Sequence, residues 1–121
     1  MMQAIAEGFT ILRQADFKLD VSKVAEVYNR GSVVESRLMD WLRRAFELHG
    51  QGLSGVTGQV AHTGEGEWTV KTARAMKIKA TVIAEALQFR QASAKNPTYA
   101  GKILSALREQ FGGHAVKGRR G

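Results

Sequence analysis

Three side chains in the second half of the chain have the types and positions to hold an anion: Arg90, Arg108 and His114. In the helical pattern over 81–94, Ile83 and Leu87 define an apolar stripe with Ala86 beside them. Arg90 falls seven residues after Ile83 and four after Ala86, so it continues that stripe. A guanidinium on an inward face needs a counter-anion, because an unpaired buried charge is costly. The competing reading is that Arg90 snorkels to water near a helix C-terminus, where a cation is favoured in any case; at the level of the sequence both stand. Arg108 lies about 40° from Leu104 on a standard helix, at the edge of the last helix's stripe. His114 follows the Gly112-Gly113 joint, whose residues accept φ values that others cannot. Two arginines at core margins with a histidine beyond a glycine joint form a candidate phosphate clamp, since guanidinium groups donate planar, bidentate bonds to phosphate. A solvated terminal tail is the competing reading of the stretch after Phe111.

The elements that position these residues read as helices throughout. Met1, Ile5, Phe9 and Leu12 recur on one helical face. That helix is in register from the first residue with no Ser, Thr, Asp or Asn ahead of it to cap its amides, so either its start frays or it is cut from a longer helix. Ala4, Ala6 and Gly8 permit close packing in a buried or intersubunit position. Asp20 is expected to cap a short helix through Asn29. Ser32 and Glu35 have capping-box spacing before the strongest amphipathic segment. There Leu38, Trp41, Leu42, Ala45 and Phe46 form the apolar stripe, and Arg37, Asp40, Arg43, Arg44 and Glu47 a solvated face. Thr69 is expected to cap a helix through Met76, a further helix spans about 81–94, and Asn96-Pro97 opens a last helix ending near residue 110. The fold class is all-α. The domain reading is 1–110 as one all-α unit and 111–121 as a C-terminal arm.

Composition limits the partners. At 121 residues the chain is one domain long enough for a core, and it has no cysteine, hence neither a disulfide framework nor a thiolate metal site. No signal-peptide pattern and no membrane-spanning apolar run is present, so a cytoplasmic setting without membrane contact is expected. The net charge of +7 is uneven: residues 1–70 carry 7 Lys or Arg against 9 Asp or Glu, and residues 71–121 carry 11 against 2. Such asymmetry points to an anionic ligand or partner for the second half.

Between the third and fourth helices lies a glycine-rich loop, residues 50–66, containing Gly50-Gln-Gly52-Leu-Ser-Gly55. The spacing matches G-x-G-x-x-G, but a helix comes before it and more loop after it, so no dinucleotide site is read there. The loop ends at Thr63-Gly-Glu-Gly-Glu-Trp68-Thr69, with Trp68 expected to plug the core. His62 with Glu65 and Glu67 is too sparse for a metal site, and no metal is expected. No nucleophile elbow is present, and no catalytic residue is read in the chain.

The ordered set Met2-Gln3 with Glu7, then Gly64-Glu-Gly66-Glu-Trp68-Thr69, then Arg90, then Arg108-Glu-Gln-Phe111-Gly112-Gly-His114 resembles the C-terminal domain of 6-phosphogluconate dehydrogenases, with an ending like that of the shorter bacterial members. The resemblance spans nearly the whole chain. It implies a parent enzyme that oxidises 6-phosphogluconate with NADP or NAD, loses carbon dioxide and releases ribulose 5-phosphate. It places the substrate phosphate on Arg90, and gives Arg108 and His114 to the active site of a neighbouring subunit in a homo-oligomer, at least a dimer. Long-form members carry a phosphate-binding Lys where this chain has Thr63, whose hydroxyl can still bond a phosphate without supplying charge. The family's catalytic Lys, Asn, Glu and Tyr and its nucleotide-binding Rossmann domain belong to segments that would precede Met1, so the chain alone is expected to be inactive. A small basic helical module binding nucleic acid through the second half is the alternative, although no helix-turn-helix signature supports it. A scaffold that only oligomerises is a third reading.

Overall fold

The computed structural model describes residues 1–113, which form six helices: α1 (Met2–Gln14), α2 (Val21–Tyr28), α3 (Arg37–His49), α4 (Glu65–Ala75), α5 (Thr81–Ser93) and α6 (Tyr99–Gly112). The all-α expectation holds for these residues. The core is organised around α6, whose residues from Ile103 to Arg108 are all buried. A helix apolar on nearly every side must be surrounded, and α6 packs against both α1 and α3, while α2 packs on α3. Phe9 of α1 sits 5.9 Å from the Phe46 ring and 6.1 Å, edge to face, from Tyr28. Leu42, Ala45 and Phe46 are buried as the α3 stripe requires, and its charged face is a lattice of ion pairs, Arg43 to Asp40 and Glu47, and Arg44 to Asp40.

Several helix starts differ from the expected ones. Met1 is exposed and lies ahead of α1; its carbonyl accepts from Ile5 N–H, so the buried face of α1 centres on Ala6 and Phe9. Asp20 caps α2 as expected, accepting from the Ser22 and Lys23 amides. The cap of α3 is Ser36, which accepts from Met39 N–H at 3.2 Å, and not Ser32. The Ser32 hydroxyl instead donates to the Tyr28 carbonyl to close α2, and Glu35 accepts from Gly31 N–H. Thr69 lies inside α4 and donates to the Glu65 carbonyl, because α4 already begins after Gly64 at φ 99°. Thr98, rather than Asn96, caps α6 by accepting from Gly101 N–H. α6 ends at Gly112, with Gly113 left-handed at φ 63°.

The loop between α3 and α4 is built into the core through Leu53, Val56 and Val60, all buried. Gln51 ties three helices to it: its carbonyl accepts from Arg13 and from the Tyr99 hydroxyl, and its side-chain oxygen accepts from Val21 N–H. Gly58 and Gly101 meet backbone to backbone. A Cβ on Gly101 would lie 2.0 Å from the Gly58 carbonyl oxygen, and one on Gly58 would lie 2.8 Å from Thr98 N. Only glycine fits at either place. The α4–α5 hairpin packs chiefly on itself and leaves Trp68, Met76, Ile78 and Val82 exposed. Trp68 is therefore not a core plug; α4 faces α5 through Val70, which leaves the indole on the outer side.

Candidate anion-binding groove

A groove of about 820 Å³ opens between the start of α1, the end of the glycine-rich loop, α5 and the end of α6. Its volume is within the range of small-molecule sites. Gln3 and Glu7 line it from α1, Thr63 and Glu65 from the loop and the first turn of α4, Ile83, Leu87 and Arg90 from α5, and Arg108 and Phe111 from α6. The apolar stripe of α5 thus forms a groove wall. Ile83 is exposed, and Ser93 is the one buried residue of α5. Arg90 continues the stripe into the groove, as its spacing requires.

Three of the four expected substrate-binding residues, Thr63, Arg90 and Arg108, line this one groove, so Arg108 faces Arg90 of its own chain, whereas the resemblance gives it to a neighbouring subunit's active site; His114 lies outside the described residues. Arg108 is only 7% exposed and Arg90 is half-buried. Burial pushes the Arg90 guanidinium below its ordinary pKa, and the positive charge of Arg108 pushes it further. Among the described residues neither arginine pairs with a carboxylate. Elsewhere some cations have partners one helical turn away: Arg30 has Glu26, Lys71 has Glu67, and Asp40 holds Arg43 above its ordinary pKa. Two mutually repelling guanidinium groups in a partly dry groove have the charge and the donor geometry suited to an anion.

Thr63 has a different setting. Its hydroxyl donates to the Glu65 carboxylate, so the position where long-form relatives of the resemblance carry a cation here has an acidic neighbour. Gln3 and Glu7 were legible as motif residues but not as groove residues. Gln3 Nε2 donates to Glu7 Oε1 at 3.0 Å, leaving Gln3 Oε1 buried without a partner among the described residues. A polar pair four residues apart in the otherwise apolar first half of α1 was the available signal.

The chain matches the family described as 6-phosphogluconate dehydrogenase, C-terminal domain, over residues 1–105. The chain belongs to this family. It is 44% identical, over 97% of its length, to the putative 6-phosphogluconate dehydrogenase YqeC of Bacillus subtilis. It is 33% identical, over 96% of its length, to the NAD(+)-dependent, decarboxylating 6-phosphogluconate dehydrogenase of Haloferax volcanii. It spans 39% of the length of each of these relatives. The matched segment of this 6-phosphogluconate dehydrogenase C-terminal domain includes Thr63 and Arg90, whereas Arg108 lies just past it.

A nicotinamide nucleotide does not fit the one sequence feature that matches a dinucleotide fingerprint. Gly50 terminates α3 at φ 75°, Gly55 turns at φ 76°, and turns rather than a helix follow, so no helix N-terminus meets a pyrophosphate there. Among the described residues no group of three His, Cys, Asp or Glu converges on a point, and no helix is long and apolar enough to cross a membrane.

Proposed function

We propose that this chain is the substrate-binding part of a 6-phosphogluconate dehydrogenase, and that Arg90 and Arg108 receive the phosphate of 6-phosphogluconate. The observation that carries this reading is the pair of groove-lining guanidinium groups without a counter-carboxylate among the described residues. A phosphate monoester dianion matches two forked cationic donors in charge and in geometry. Held at that end, the sugar acid is oriented so that its reacting end meets groups from outside this segment; binding energy at a remote phosphate is a general means of lowering a barrier elsewhere in a substrate. The reaction is oxidation with NAD or NADP, loss of carbon dioxide and release of ribulose 5-phosphate, with the nucleotide bound by a separate domain. The name of the Haloferax volcanii relative supports NAD.

His114 keeps the substrate-binding role that the resemblance gives it, and Thr63 is a secondary contact. The exposed Trp68, Met76, Ile78 and Val82 support a subunit interface in a homo-oligomer. By itself the chain binds the sugar phosphate without turning it over, because the resemblance assigns the catalytic groups to another segment.

The kinetic test grafts this chain into the Bacillus subtilis relative in place of the matching segment. Arg90→Ala is expected to raise KM for 6-phosphogluconate about 100-fold, the loss of a charge-assisted bidentate contact, while kcat falls far less. An unchanged KM would mean that Arg90 is only a snorkelling surface cation.

A further inference from the structure

The two arginines sit on helices that do not chiefly pack on each other: α5 pairs with α4, and α6 is wrapped by α1 and α3. Two like charges left to themselves would separate, so something must fix Arg90 against Arg108. Residues 58–60 of the glycine-rich loop lie between the two helices. The Ser93 hydroxyl, 2% exposed, donates to the Arg90 carbonyl at 2.6 Å and accepts from Val60 N–H at 2.9 Å. Both of its capacities suited to this site are used. The Arg90 carbonyl needs this donor, because the Ala94 amide four residues on turns to the Gln91 carbonyl. Beside it, Gln59 Nε2 donates to the Ala94 carbonyl at 3.1 Å, and the Gln59 carbonyl accepts from the Ser105 hydroxyl at 3.1 Å. Gly58 underneath is seated on Gly101 at the start of α6. Ser93 comes three residues after Arg90 and Ser105 three before Arg108, so each serine stands one helical turn from its arginine. The same strap leads directly into His62 and Thr63 at the groove wall.

We infer that Ser93 and Ser105 are positioning residues that clamp the loop segment 58–60 between α5 and α6, and so hold the Arg90 and Arg108 guanidinium groups together on one groove. The inference rests on the sugar-phosphate reading of the groove and adds to it the device that keeps the two cations in place. Loss of the Ser93 hydroxyl strands the buried Val60 amide and frees the Arg90 carbonyl, loss of the Ser105 hydroxyl leaves the Gln59 carbonyl without its donor, and either lets the helices move apart. Neither serine touches the ligand. Each acts through its arginine, and its effect depends on that arginine being present.

A double-mutant cycle on this chain reads that dependence directly. The probes are 6-phosphogluconate and inorganic phosphate, with Kd measured by calorimetry. Ser93→Ala is expected to weaken both ligands about tenfold when Arg90 is present, the effect of misdirecting one charge-assisted contact. In an Arg90→Ala background it is expected to weaken them less than twofold, and Ser93→Thr, which keeps the hydroxyl, is expected to recover most of the affinity. Ser105→Ala is expected to couple to Arg108→Ala in the same way, and this second cycle decides the matter should Ser93→Ala not fold. An unchanged Kd, or an equal loss with and without the arginine, would overturn the inference while leaving the Arg90 effect, and hence the sugar-phosphate reading, intact. No effect of Arg90→Ala on either ligand would instead overturn that reading and the clamp with it.

Discussion

At the scale of single residues, the decisive feature is a cation placed where folding alone would not put one. Arg90 has its pKa lowered by burial and by Arg108, so its charged form is less favourable in the folded chain than in the unfolded one. The group stays charged at neutral pH, and its charge therefore subtracts from stability there. Arg90→Met, which keeps the length of the stem and removes the charge, is expected to raise Tm by a few degrees in thermal unfolding while weakening sugar-phosphate binding at least tenfold. A lowered Tm would mean that the guanidinium is structurally satisfied. The position of Arg90 was legible because an arginine interrupts an apolar stripe. The burial of Arg108 was only half legible, since a stripe edge on a helix wheel does not tell how many neighbours cover it. Ser93 and Ser105 were not legible at all: a serine in a run of Ala and Leu looks neutral until its hydroxyl is seen to hold a loop distant in sequence.

At the scale of elements, hydrophobic periodicity identified the helices well, and capping chemistry placed some starts wrongly. The stretch Ser32-Val-Val-Glu-Ser36 contains two candidate caps, and local sequence does not say which hydroxyl is claimed by the preceding helix. Ser32 is so claimed, through the Tyr28 carbonyl, and Ser36 caps α3. Ser36→Ala is expected to cost about 1 kcal/mol in denaturant unfolding and Ser32→Ala less than half as much. The reverse order would restore the capping box. The Gly58–Gly101 contact joins residues distant in sequence and gives no local signal. Gly101→Ala drives a methyl into the Gly58 carbonyl, which can relieve the clash only if the loop moves. A loss of about 2 kcal/mol or more is expected by the same measurement, although Ala ordinarily stabilises a helix interior relative to Gly. A gain in stability would show that the loop is not held against α6. Trp68 was misread for a related reason: a large aromatic after glycines resembles a core anchor, but the α4–α5 hairpin has little core of its own to offer it.

At the scale of the whole molecule, the chain divides its work between a packed set of helices, α1, α2, α3 and α6, and a hairpin that completes one wall of a groove. The glycine-rich loop joins the two and carries the groove's Thr63. The charge asymmetry read from composition has a local expression in Arg90 and Arg108, two cations that line one groove. Membership of the 6-phosphogluconate dehydrogenase C-terminal domain family gives their anion a chemical identity to test. The most direct measurement is a calorimetric titration of the chain with 6-phosphogluconate at physiological salt, run beside Arg90→Ala and beside a duplex DNA of random sequence. Saturable binding at one site per chain, weakened at least tenfold by Arg90→Ala, with no retention of DNA, is the predicted result. Equal affinity in Arg90→Ala, or binding of DNA without binding of the sugar phosphate, would contradict it.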